Sequence, residues 1–320
     1  MSLGEFELID RLLKPLAEGF EGALGLEDDA ALIDVPVGQQ LVIAKDAIVA
    51  GVHFLLADPP ETVAAKLLGV NLSDLAAMGA SPLAYLTVLA RPTTLEEGWL
   101  RRFFEALGVE QQRHGLHLVG GDTVSTPGPL LLSATILGLV PSGEALRRRG
   151  AKPGDLIFVS GTLGDAASGL RILQGLAASE EATVELVDRY RVPRPRLALG
   201  TALRGTASAA IDVSDGLVAD LGHIAQASGV GAVVDATALP LSAAALELPG
   251  ALTSALSGGD DYELLFTVPP SRADEVAAIA TRLALRVTAI GEIVSGKGVT
   301  VRDAKGRPLA VDRAGGWRHF

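Results

Sequence analysis

Aspartates stand at the ends of apolar segments along this chain, and that placement limits how the segments can pack. Asp28 and Asp29 lie in GLEDDAALIDV, Asp46 closes LVIAKD, and Asp74 sits inside VNLSDLAAMGA. Asp122 follows two glycines in LVGGDT, and Asp212 and Asp215 flank Ser214 in AAIDVSDGLVAD. An unpaired buried carboxylate is expensive. It must be protonated, meet an Arg or Lys, cap helix N–H groups, or share a divalent cation. Cationic neighbours are scarce here; Lys45 beside Asp46 and Lys66 upstream of Asp74 are the exceptions. The candidate donors are all oxygens, which suits a hard ion such as Mg²⁺ or Mn²⁺.

Each acid also has an ordinary reading. Asp28 serves equally well as a turn or cap residue. Ser214 and Asp215 stand where helix N-caps belong. Asp74 resists such a reading, because Asp is a poor mid-helix residue and its neighbours are apolar. Asn71, three residues earlier, shares its helix face. Asp122 after Gly-Gly fits a turn. Asp220 reads as a solvated helix residue outside the set. Taken together, acids at several element ends point to a metal–phosphate site.

The segments themselves alternate. Ser2 and Glu5 have capping-box spacing, and Phe6, Leu8, Ile9, Leu12 and Leu13 follow at helical period. Strand-like runs cover 30–35 and 40–44. A helix is expected from Pro59-Pro60 to Gly79, a strand over 84–90, a helix over 95–114 and a strand over 130–139. The basic, turn-rich RRRGAKPGD then marks a domain boundary, giving an N-terminal domain over 1–144 and a C-terminal domain over 145–320. Beyond it come strand 156–160, helix 164–176, helices on either side of Pro193 and Pro195, strand 209–213, helix 217–227, strands 232–235 and 263–268, helix 273–283 and strand 286–290. Strands and helices mix in both halves, so the fold class is α/β or α+β.

Composition removes several functions. The chain's 320 residues suit two domains, and its net charge of −11 argues against nucleic acid as the main partner. With 0 cysteines there is no disulfide, no thiolate zinc site and no Cys nucleophile. The N-terminus lacks the order of a signal peptide, and no apolar run approaches the roughly 20 residues of a membrane span. A cytoplasmic protein that binds no membrane is expected.

No P-loop motif, kinase-type HRD or G-x-S-x-G occurs. The turn SGTLGDAASGL, Ser160–Leu170, follows a strand and opens a helix, so its N–H groups could hold an anion. Arg147, Arg148 and Arg149 are either a solvated linker or a source of one polyphosphate contact. His114 and His117 are expected as loop residues rather than a ligand pair. His53 in AGVHF could meet a substrate, and Trp317 could anchor the C-terminal tail or stack on a flat ligand.

EDDAA, AGVHF, VNLSDLAAMGASP, GGDT, RRGAKPGD, IDVSDGLVAD, SGGDDYELLFTVP and the terminal GGWRHF, in this order, resemble the thiamine-monophosphate kinase family. That family lies within the ATP-binding superfamily of aminoimidazole ribonucleotide synthetase. The resemblance implies a two-domain aminoimidazole ribonucleotide synthetase-like fold and a homodimer. The N-terminal domains would form a shared barrel-like sheet, and each C-terminal domain an α/β layer. ATP and several Mg²⁺ ions would lie between the domains. Asp29, Asp46, Asp74, Asp122, Asp212 and Asp215 would be Mg²⁺ ligands. Gly121, Asp122, Arg148 and Ser214 would contact ATP, and His53, Asp260, Asp261 and Trp317 would surround thiamine monophosphate.

The chain departs from the pattern at Glu27, in place of a glycine, at Ala44 and Lys45, in place of hydroxyl residues, and at Asp260, in place of a glutamate. The implied reaction is direct transfer of the ATP γ-phosphoryl group to thiamine monophosphate, with no general base assigned. Another synthetase of the superfamily, such as a purine-biosynthetic cyclase, and a non-catalytic ATP-binding regulator are the alternatives at this point.

Overall fold

Apolar runs and helical stretches alternate through the chain, and each half builds its own sheet. The computed structural model describes residues 4–311. The residues up to Leu75, with Ala80–Ser142, form one compact unit; Ala76–Gly79, with the residues from Gly143 onward, form a second.

The first unit opens with a broken helix, α1 (Glu5–Leu8), a π-helical turn (Ile9–Leu13) and α2 (Lys14–Ala17). Then come β1 (Gln39–Val49), α3 (Pro60–Ala77), β2 (Ser81–Pro92), α4 (Glu97–His114), β3 (Leu118–Thr126) and β4 (Leu131–Pro141). The sheet order is β1-β4-β2-β3, with β2 and β3 parallel and the other pairs antiparallel. Parallel neighbours need a crossover, and α4 supplies it. Its buried residues Leu100, Phe103, Phe104, Leu107 and Gln111 recur at helical spacing. Gln111 Nε2 donates to Leu16 O at 3.0 Å, and its Oε1 accepts from the buried Tyr85 hydroxyl at 2.9 Å. α3 is apolar nearly all round and accordingly buried.

The strand expected over 30–35 does not form. Ala31 and Ile33 pack inward and Leu32 and Asp34 outward, which is the alternation of a strand, although Val35 then breaks it by facing solvent. A strand also needs a neighbour to complete its ladder, and none of the described residues supplies one. The segment's Leu32 N–H instead donates to Gly22 O at 2.8 Å.

The second unit contains β5 (Leu156–Ser160), α5 (Asp165–Leu173), α6 (Glu180–Arg191), α7 (Leu197–Ala202), β6 (Ala209–Asp212), α8 (Leu217–Ser228) and β7 (Gly231–Asp235). It continues with α9 (Ala243–Leu246), α10 (Ala251–Ser257), β8 (Leu264–Val268), α11 (Ala273–Arg282), β9 (Val287–Val294) and β10 (Gly298–Arg302). Its sheet runs β10-β7-β9-β5-β8-β6. One apolar cluster joins Ile157, Val159, Ile211 and Leu265 to Leu217, Leu221 and Ile224 of α8. Another joins Phe158 and Phe266 to Leu199, Leu203, Val276 and Ile279. Central strands covered on both faces read as continuous apolar runs. Among the described residues no helix is long and apolar enough to cross a membrane.

One buried polar side chain ties β1 to α3. Asn71 is 0% exposed; its Nδ2 donates to Leu67 O at 2.9 Å and its Oδ1 accepts from Asp46 N at 3.0 Å. Asn71→Ala removes both bonds and is expected to cost about 1–3 kcal/mol in denaturant unfolding. A loss below about 0.5 kcal/mol would contradict this role.

Candidate active site

In the first unit, β3 is built to lie close to β2. A Cβ at Gly121 would fall 2.0 Å from Thr87 O, so only glycine allows this approach. Asp122, the next residue, is exposed on this edge strand. Beside it opens a cavity of about 500 Å³, with Asp28, Asp29, Thr87 and Asp122 on its polar side and Leu26, Leu86 and Phe104 on its apolar side. The expected residues Asp29, Gly121 and Asp122 thus come together. Asp46 stands at the far end of the cross-strand row Asp46–Ala134–Thr87–Gly121. Its amide is tied to Asn71, and half-buried Asp74 lies one helical turn beyond Asn71. Lys45 turns to β4, donating to Ser133 Oγ at 3.0 Å and Thr135 Oγ1 at 3.3 Å. His53 folds back in the turn after β1, where its Nδ1 accepts from Val49 N at 3.1 Å, leaving Nε2 as the ring's donor.

In the second unit, β6 ends at buried Asp212, and a turn leads into α8. Asp220, expected in solvent, is instead 2% exposed. Its Oδ2 accepts from the N–H groups of Ser214 at 3.0 Å, Asp215 at 3.1 Å and Gly216 at 3.2 Å. Burial, then the charges of Asp212 and Asp215, push its carboxyl up to about 7 against the pull of those N–H groups. Sequence reasoning missed this residue, although a signal was present. Asp220 is three residues after Leu217 and four before Ile224, which puts it on the core-facing stripe of α8.

The segment Gly258–Glu263 locks onto this turn. Asp260 N donates to Ser214 O and Tyr262 N to Val213 O, both at 2.8 Å. Asp260 and Tyr262 hold positive φ angles of 61° and 49°, a conformation costing about 1–3 kcal/mol per non-glycine residue. The half-buried pair is linked by Tyr262 OH donating to Asp260 Oδ1 at 3.3 Å. Asp261 points the other way. It is buried, its Oδ2 accepts from Gly164 N at 2.8 Å, and burial pushes its carboxyl well above the usual range.

The descriptions "AIR synthase related protein, N-terminal domain" and "C-terminal domain" match residues 27–140 and 152–304. A thiamine-monophosphate kinase of Caulobacter vibrioides is 45% identical, over 98% of this chain and 90% of the relative. The chain belongs to the thiamine-monophosphate kinase family. Among solved structures, the thiamine-monophosphate kinase of Stenotrophomonas maltophilia K279a is 45% identical with a TM-score of 0.85, over 97% of this chain and 99% of that one. AaThiL complexed with AMPPCP and TMP is 34% identical with a TM-score of 0.78, over 99% of this chain and 97% of that one.

Other expected features of a thiamine-monophosphate kinase separate clearly. Arg147, Arg148 and Arg149 are exposed, while their backbone is stapled: Arg147 O accepts from Ala210 N, and Ser228 Oγ bonds Arg148 O and the Gly150 and Ala151 amides. The turn at Ser160–Leu170 is not an anion cradle. Its Gly161, Leu163 and Gly164 N–H groups already donate to Arg286 O, Pro240 O and Asp261 Oδ2. His117 lies in the loop after α4, its ring tilted against Phe20 with centroids 5.4 Å apart, while His114, expected in the loop, is the last residue of the helix. Trp317 lies outside the described residues.

The donor set fits Mg²⁺ in a particular way. Among the described residues no three Asp, Glu or His side chains converge as a metal cluster. Mg²⁺ needs no such cluster: it binds through one or two carboxylates, with waters and substrate phosphates completing its octahedron. Scattered carboxylates therefore suit ions that arrive with a polyphosphate.

The role of Asp220 is testable in the apo protein. Asp220→Ala removes the acceptor of three amides and is expected to cost about 2–3 kcal/mol. It should also abolish hydrogen-exchange protection at Ser214, Asp215 and Gly216. Asp220→Asn keeps an acceptor oxygen and relieves the repulsion, so most protection should persist. Equal protection in the wild type and Asp220→Ala would contradict the assignment.

Proposed function

We propose that this chain phosphorylates thiamine monophosphate with ATP, giving thiamine diphosphate and ADP. The observation that carries this reading is its 34% identity, over nearly the full length of both chains, to AaThiL complexed with AMPPCP and TMP. The match extends across both acid-bearing units.

In this reading the substrate phosphate oxygen attacks the γ-phosphorus. The bond from that phosphorus to the bridging oxygen breaks, and ADP leaves with the electron pair. A phosphate monoester has a second pKa near 6, so the nucleophile is already anionic at neutral pH and needs no general base. The difficulty is charge: two anions must meet in line.

Asp29, Asp46, Asp74, Asp122, Asp212 and Asp215 would be the ligands of Mg²⁺. When bound, the metal supplies neutralisation and alignment of the phosphates. Gly121 and Ser214 offer backbone and hydroxyl contacts to the nucleotide, and Arg148 adds an exposed guanidinium. His53 Nε2, the Asp260–Tyr262 pair and Trp317 would bound thiamine monophosphate. Of the two adjacent acids, Asp260 is the one suited to touch the substrate; Asp261 is committed to Gly164.

The reading includes a homodimer. Ile43 on the edge strand β1 is 61% exposed, and Leu32, Val35 and Val37 are exposed in the segment before it, which joins no sheet among the described residues. A second copy of the chain would cover this apolar surface. Dependence on ATP is in keeping with a cytoplasmic setting.

ADP release from ATP should require both thiamine monophosphate and Mg²⁺. Asp122→Asn and Asp215→Asn should each lower kcat about 100-fold or more while leaving the fold intact by circular dichroism. Near-normal turnover in both variants at limiting Mg²⁺ would overturn the proposal.

A further inference from the structure

Beneath the Gly258–Glu263 segment lies a buried ionic group that the proposed chemistry does not use. Glu263 is 0% exposed, yet its carboxylate carries four contacts. Arg196 grips it with two parallel bonds, Nε to Oε2 at 2.6 Å and Nη2 to Oε1 at 2.5 Å. Arg189 Nη2 donates to Oε1 at 2.9 Å, and Ser160 Oγ to Oε2 at 2.6 Å. The backbone has made room for this, since a Cβ at Gly161 would fall 2.2 Å from Oε1.

We propose that Arg189 and Arg196 are substrate-positioning residues: through Glu263 they hold the Gly258–Glu263 segment in the strained form that presents Asp260 and Tyr262. The proposal rests on the kinase reading above for the identity of the substrate. Three observations support it. First, the contacts reach the segment's backbone as well as its side chains. Arg189 Nη2 also donates to Asp261 O at 3.3 Å, and Ser160 Oγ accepts from Leu264 N, the residue that follows the segment, at 2.9 Å.

Second, positive φ at Asp260 and at Tyr262 persists only where the surroundings over-determine it. Here the turn at Val213 and Ser214 holds one side and the arginines hold the other. Third, the group is a poor device for stability alone. Arg189 Nη1 and Asp261 Oδ1 are buried with no hydrogen-bond partner among the described residues. A partly satisfied buried network is inferior to a well-packed apolar core. Fixing a conformation is the better account of it.

The test compares Arg189→Lys and Arg196→Lys with the wild type. Each lysine keeps the charge but loses the planar fork. KM for thiamine monophosphate should rise about 10-fold, with KM for ATP within about 2-fold of wild type. Titration calorimetry with thiamine monophosphate alone should show the same loss of affinity. Amide exchange at Asp260, Asp261 and Tyr262 should accelerate by about 10-fold, with no change in α8. If either lysine variant fails to fold, Ser160→Ala removes one contact to Glu263 and should give the same pattern at smaller amplitude.

Unchanged KM for thiamine monophosphate with unchanged exchange would overturn the proposal. So would a parallel rise of both KM values with global loss of protection, which is the mark of a merely structural role. If the wild type consumes no ATP with thiamine monophosphate, the kinase reading fails. The exchange arm then still decides whether these arginines hold the segment.

Discussion

One carboxylate organises the turn that leads from β6 into α8. Asp220 gathers three consecutive N–H groups and so fixes the backbone from Ser214 to Gly216. Ser214 O in turn accepts from the Asp260 amide, and Val213 O, one residue earlier, from the Tyr262 amide. Two loops distant in sequence become one rigid surface, with Asp215, Ser214, Asp260 and Tyr262 on it. The arrangement is electrostatically tense, because Asp212 and Asp215 both push against Asp220. Positive charge brought to this surface would relieve the tension.

Six acids of the chain therefore fall into two groups. Asp220, Asp261 and Glu263 face inward and are satisfied largely by amides, hydroxyls and guanidiniums of the protein itself. Asp29, Asp122 and Asp215 face outward, and their carboxylates have no hydrogen bond or ion pair among the described residues. The first group holds backbone and side chains of the protein in place; in the proposed function the second would meet the ligand. Burial and partner chemistry, rather than residue type, draw the line between them.

Much of the fold was legible. The strands β5, β6 and β8 are apolar runs with turn residues at their ends, and helices such as α4 and α8 carry a clear period. The short helices α9 and α10 and the edge strand β10 were not anticipated, since four to seven residues carry too little period to register. Residues 30–35 show the limit of patterning: the alternation predicts which side chains face inward, but a strand also requires a partner. In the site, the outward acids were visible because they interrupt apolar sequence. Asp220 was misassigned because its charge suggested solvent while its helical position pointed to the core. The arginines that hold Glu263 lie 74 and 67 residues from it, so only the folded chain reveals them.

The central claim is that the outward acids are completed by cations that enter with a polyphosphate. Calorimetric titration of Mg²⁺ into the wild-type protein, with and without a non-hydrolysable ATP analogue, tests it most directly. Only weak, millimolar binding is predicted without the analogue, with additional tight binding once it is present. Tight stoichiometric Mg²⁺ binding to the nucleotide-free protein, or analogue binding of equal strength in excess chelator, would contradict the account.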